Sequence, residues 1–107
     1  MARRESNLTR RILRELNKLP KTLAFKIHGG PYQVSGIPDI CCVHDGRTIW
    51  FEVKLPGEKP DPIQIVFHNK LRSAGAEVYV ITLVEEAVSN LSALTSQSTV
   101  PPGMLPL

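Results

Sequence analysis

The stretch "SGIPDICCVHDGRTIWFEVKLPGEKP", residues 35–60, decides how this chain is read. Two apolar runs, 39–43 and 48–55, flank His44-Asp45-Gly46. Asp-Gly favours the positive backbone angles of tight hairpins, so the runs are predicted to pair as antiparallel strands. Side chains alternate along a strand. Ile49, Phe51, Val53 and Leu55 then share an apolar face that should meet the core. Trp50, Glu52 and Lys54 share the other face. Glu52 and Lys54 lie roughly 7 Å apart there, twice the rise per residue. Charges are depleted from such strands because burying them is costly unless they are paired or bind a metal. The hairpin also carries Asp39, at the start of its first strand, to the end of the second. Two carboxylates and one ammonium should therefore converge.

Carboxylates held close together repel unless a cation lies between them. Mg²⁺ takes oxygen ligands, commonly one or two carboxylates with waters and phosphate oxygens. A cation so placed can polarise a phosphodiester and help make water nucleophilic. An ammonium beside it can hold that water or offset charge growing on the phosphate. Taken alone, a Glu-x-Lys is a surface ion pair of little worth. Its position across a hairpin from Asp39 is what raises it to a candidate site.

Working outward, Leu8, Ile12, Leu16 and Leu19 recur at helical spacing and predict a helix over 6–19, capped by Ser6 or Asn7 and ended by Pro20. A strand is expected over 23–28, followed by a Gly- and Pro-rich loop flanked by His28 and Tyr32. After the central hairpin comes a helix over 62–74, with Asp61 as cap, Pro62 in its first turn and Gly75 at its end. A strand over 77–82 and a helix over 83–95 follow. The order α-β-β-β-α-β-α implies an α/β fold, a mixed four-stranded sheet with helices packed on it. We expect one domain over 1–95 and a flexible Pro-rich tail over 96–107.

The 107 residues are 42% hydrophobic, enough for one small core, and the net charge of +3 permits a polyanionic partner without requiring one. Arg3, Arg4, Arg10, Arg11 and Arg14 crowd the N-terminus, where a solvated helix face and a phosphate-binding surface are equally good accounts. Cys41 and Cys42 are adjacent, so they point to opposite faces and are read as small apolar strand residues. There is no secretory leader pattern and no run of 18 apolar residues, so an intracellular, soluble protein without a membrane partner is expected.

"GIPD", "FEVK" and "PIQIVFHNKLRSAGAEVYVI" together resemble the PD-(D/E)xK nuclease superfamily, and within it the virus-type replication-repair nuclease (VRR-NUC) domain. The resemblance runs over residues 5–82. It implies a restriction-endonuclease-like αβββαβ core and a metal-dependent DNA endonuclease. It also implies Mg²⁺ or Mn²⁺ bound by Asp39, Glu52 and the Val53 carbonyl, with Lys54 catalytic and Gln64 joining the catalytic set. A glutamate from the first helix is implied as a further ligand, and both Glu5 and Glu15 lie on the apolar side of that helix; Glu5 fits the position better. His28, Arg10, Arg11 and Lys59 are candidates for the DNA backbone; a solvated helix face is the simpler account of Lys70 and Arg72. Trp50 is expected to pack beneath a helix. Members without accessory domains resemble Holliday-junction resolvases, which implies a homodimer acting on branched DNA. A nicking or restriction-type nuclease and an inactive nucleic-acid-binding module remain the alternatives.

Overall fold

The structure, a computed structural model, describes residues 2–29 and 34–97. Its elements are α1 (Ala2–Leu16), β1 (Thr22–Lys26), β2 (Ile40–His44), β3 (Arg47–Val53), α2 (Pro62–Ser73), β4 (Glu77–Ile81) and α3 (Val84–Gln97). They form one four-stranded sheet in the order β1-β2-β3-β4. The first two pairings are antiparallel, and β3 pairs with β4 in parallel through the α2 crossover. This is the mixed α/β sheet expected from the sequence.

The β2–β3 turn is carried by Asp45 and Gly46, both at positive φ (48° and 83°), which sets Ile40 opposite Phe51 and Cys42 opposite Ile49. That register fixes the two faces. Ile40, Cys42, Ile49, Phe51, Val53 and Ile81 are buried on one face, beneath Ile12 and Leu16 of α1 and Leu91 of α3. The other face carries Cys41, Trp50, Glu52 and Val78, and α2 packs over its β4 side. Cys41 and Cys42 are both free and buried, on opposite faces.

Both ends of α1 differ from expectation for physical reasons. α1 begins at Ala2 and not at Ser6, so neither Ser6 nor Asn7 caps it. Arg and Glu are good helix formers, and nothing in residues 2–5 breaks the run. α1 also stops at Leu16, three residues early, because Asn17 leaves the helix to bind β1. Its Nδ2 donates to the Ala24 carbonyl at 3.0 Å, and its Oδ1 accepts the Ala24 N–H at 2.8 Å. Lys21 then turns the chain at φ 53°. α3 takes in Ser96 and Gln97, the first two residues of the expected tail. The rest of that tail and Tyr32 lie outside the described residues. Among the described residues no helix is long and apolar enough to cross a membrane.

Candidate nuclease active site

β2 begins at Ile40, so the last amide of β3 lies beyond the end of their pairing. The Asp39 side chain takes the place of the missing backbone partner: its Oδ2 accepts the Val53 N–H at 2.8 Å. This bond ties the aspartate to the end of β3. The loop before it is held equally tightly. Gly36 has φ 90°, and a Cβ there would stand 2.7 Å from the Ile63 carbonyl oxygen and 3.1 Å from Phe67 Cβ. Only glycine lets that loop press against α2, which is the physical content of the Gly-x-Pro-Asp spacing.

Glu52 sits on the α2 side of β3 and is 1% exposed. Both its oxygens are held from α2. Gln64 Nε2 donates to Oε2 at 3.1 Å, and His68 Nε2 lies 3.2 Å from Oε1. Gln64 and His68 are four residues apart and so stack on one helix face. The other end of the Gln64 amide accepts the Asp61 N–H at 2.8 Å, closing the helix N-terminus. One side chain therefore both caps α2 and orients the carboxylate. Lys54 Nζ lies 3.8 Å from Glu52 Oε2 with its own side chain only 12% exposed.

Negative charge exceeds positive here. Burial raises the Glu52 pKa well above the usual carboxylate range; the nearby Asp39 carboxyl adds to the rise and Lys54 opposes it. Glu5 is raised as well, first by burial and then by the charge of Asp39, with Lys54 opposing and Glu58 adding. His68 is lowered, chiefly by burial and then by the Arg72 charge. Its contact with Glu52 is therefore a hydrogen bond between an uncharged ring and the carboxyl, not an ion pair.

The structure brings Asp39, Glu52, Lys54 and Gln64 together and places Glu5 within electrostatic reach of Asp39 and Lys54. Glu15 is elsewhere: it pairs with Lys18 at 2.9 Å and approaches Arg14 at 4.0 Å. Of the two first-helix glutamates, only Glu5 faces the cluster. His28 and Lys59 are exposed on the loops at this end of the sheet, and Arg11 is exposed on α1 beside the start of α3. Arg10 is exposed and donates to Asn7 Oδ1 at 3.3 Å. A cleft of about 280 Å³ opens beside Asp39, lined by Ile27, Val34, Ser35 and Ile37.

Sequence reasoning missed two residues. His68 carried a usable signal, since it stands one turn after Gln64 on the same face. Glu58 carried none. It lies in the loop after β3, where its Oε1 accepts the Leu55 N–H at 2.8 Å, and only the folded loop brings it near Glu5.

Comparison with known proteins places this geometry. The chain is 32% identical over 79 residues to "Putative nuclease p44" of Acyrthosiphon pisum secondary endosymbiont phage 1, a match spanning 73% of this chain and 82% of that protein. A solved structure described as a VRR_NUC domain superposes with a TM-score of 0.67 at 25% identity, over 88% of this chain and 96% of that one. The chain belongs to the VRR-NUC nuclease family. No family model matches it. The VRR-NUC assignment agrees with the αβββαβ order of the fold.

Among the described residues no three His, Cys, Asp or Glu side chains form a ready-made metal cage. A hard divalent cation does not need one, since it fills its sphere with two carboxylates, a carbonyl, waters and phosphate oxygens. The paired Asp39 and Glu52 carboxyls, the second with its proton affinity raised by burial and by the first, are a donor set of that kind.

Proposed function

We infer that this VRR-NUC protein is a metal-dependent endonuclease that hydrolyses phosphodiester bonds in DNA. The observation that carries the reading is the meeting of Asp39 and Glu52 across the β2–β3 pair, with Lys54 Nζ 3.8 Å from Glu52. Asp39 and Glu52 would hold Mg²⁺ or Mn²⁺. The Val53 carbonyl would join them, since a strand residue's N–H and C=O point to the same side and its N–H already meets Asp39. Glu5 would reach the same cation from α1. When bound, the cation supplies Lewis acidity toward a phosphate oxygen and a lowered pKa for its water. The chain's own groups do the rest. Lys54 presents an ammonium beside the reacting phosphate, where charge grows in the transition state. Gln64 keeps Glu52 oriented. The cleft beside Asp39 has room for part of a nucleotide. Arg11 and Lys59 would meet backbone phosphates on either side.

The same reading includes a homodimer acting on branched DNA. Leu23, Phe25 and Val43 are exposed on the outward face of β1 and β2, with Leu23 directly opposite Val43. A second copy seated there would remove this apolar stripe from water.

The experiment is a cleavage panel with a four-way junction beside flap, single-stranded and linear duplex DNA, in Mg²⁺, Mn²⁺ and EDTA. The expected result is metal-dependent cutting, strongest on the junction and lost in Asp39→Ala and Lys54→Ala. Equal cutting of all substrates would leave a nicking or restriction-type nuclease. DNA binding without cutting in any metal would leave an inactive binding module. Full activity in either variant would overturn the mechanism.

A further inference from the structure

We propose that His68 is a positioning residue for Glu52, fixing the direction in which that carboxylate presents its lone pairs to the cation. This rests on the metal-site reading above. His68 is 2% exposed, and its Nε2 lies 3.2 Å from Glu52 Oε1. A carboxylate able to bind a cation is ionised and only accepts, so the ring must carry its proton on Nε2. Each Glu52 oxygen has about two lone-pair sites. His68 takes one on Oε1 and Gln64 takes one on Oε2. Two donors on two oxygens remove the freedom of the carboxyl to rotate about its terminal torsion, which is otherwise broad. One site remains on each oxygen, and Lys54 approaches the Oε2 side. Removing His68 would leave the carboxylate held at a single point and free to turn out of line with Asp39.

A purely structural role makes a different prediction. His68 would then be a buried ring that happens to touch an acceptor, and an apolar side chain of similar bulk would replace it. The test compares His68→Leu with His68→Gln in the full chain. Glutamine places an amide donor near the position of Nε2, whereas leucine fills the space without one. Mn²⁺ binding to the DNA-free protein is measured by calorimetry, with circular dichroism as the folding control. The expected result is an affinity loss of roughly tenfold or more in His68→Leu, the usual scale for partners that orient metal ligands, and an affinity in His68→Gln close to the parent's. Equal affinity in parent and His68→Leu would overturn the proposal and leave the metal site standing. A parent that binds no Mn²⁺ would overturn the metal site and this proposal together. A second measurement needs no variant. A long-range ¹H–¹⁵N spectrum of the Mg²⁺-loaded parent, in which Glu52 is ionised, should show the His68 proton on Nε2, and a proton on Nδ1 would overturn the proposal even where His68→Leu fails to fold.

Discussion

Phe51 and Glu52 are neighbours in β3, both essentially inaccessible to water, yet they face opposite sides of one sheet and do opposite things. Phe51 lies among Ile40, Ile49, Val53 and Ile81, with the Tyr79 ring centroid 6.0 Å away. Glu52 lies among Asp39, Lys54, Gln64 and His68. The apolar face gains stability from burial. The polar face gives some back, because a carboxylate is kept out of water beside another carboxylate. The alternation of a single strand thus lets a small domain carry a costly site directly on the back of its core.

The largest effect should come from the apolar side. Phe51→Ala removes a fully buried ring, at a cost of about 3–5 kcal/mol. That is a large part of the stability of a domain this size. Chemical denaturation should show the midpoint fall steeply. A loss below 1 kcal/mol would mean that the core does not depend on this face as described.

On the polar side, Lys54→Ala should cost activity and not fold. Removing one group that stabilises transition-state charge commonly costs roughly 10²–10³ in kcat, or about 2.7–4 kcal/mol. Single-turnover cleavage beside a thermal melt separates the two effects. An unfolded variant would blur the contrast between the faces, and a folded one with low kcat would sharpen it.

Glu52→Gln sets the two properties against each other. Burial and Asp39 raise the Glu52 pKa in the folded state. The folded protein then binds more protons than the unfolded chain between the ordinary carboxylate pKa and the raised value. Stability must therefore fall as pH rises across that window. In EDTA, the parent should melt progressively lower from acidic to mildly alkaline pH, and Glu52→Gln should flatten that slope. At the alkaline end the variant should be the more stable, by several degrees on a scale of roughly 4–8 °C per kcal/mol, and inactive. A parallel pH dependence in both proteins would mean that Glu52 is not strained by its neighbours.

Most of this contrast was legible in the sequence, and what was not has a common cause. The hairpin, the two faces of β3, the Asp61-Pro62 helix start and the meeting of Asp39 with Glu52 follow from alternation and turn chemistry, which act over a few residues. Gly36 followed only as part of a spacing. The reason for it, the close approach of the Ile63 carbonyl, is a contact between segments far apart in the chain. The early end of α1 came from Asn17 reaching across to Ala24. His68 and Glu58 likewise act only once α2 and the loop after β3 are folded onto the sheet. Gly36→Ala tests this non-local layer. It combines a left-handed φ with a contact under 3 Å to backbone, and strain of this kind costs roughly 1–3 kcal/mol. Loss of metal affinity together with stability would show that the loop positions Asp39; loss of stability alone would show that it only packs.

The smallest effect belongs to a carboxylate outside this contrast, Glu86 in α3. Its Oε1 accepts the Thr82 N–H at 2.6 Å, the Leu83 N–H at 2.9 Å and the Thr82 hydroxyl at 3.1 Å. These bonds close the start of the helix and hold its pKa below the ordinary value, led by the Thr82 amide. Glu86 is the electrostatic opposite of Glu52: its donors outweigh its burial, so folding favours its charge. The sign of the linkage reverses accordingly. Its contribution is present above the ordinary carboxylate pKa and is lost as pH falls through the depressed one. Glu86→Gln should cost about 1 kcal/mol at neutral pH, the usual scale of a helix-start bond, and the gap to the parent should close in acid. The Glu52→Gln gap closes in acid too, but from the other side, because there the variant is the more stable protein at high pH. Two glutamates in one small domain would then show opposite pH slopes. Melts of both variants across the same pH series would decide whether folding disfavours the charge of Glu52 and favours that of Glu86.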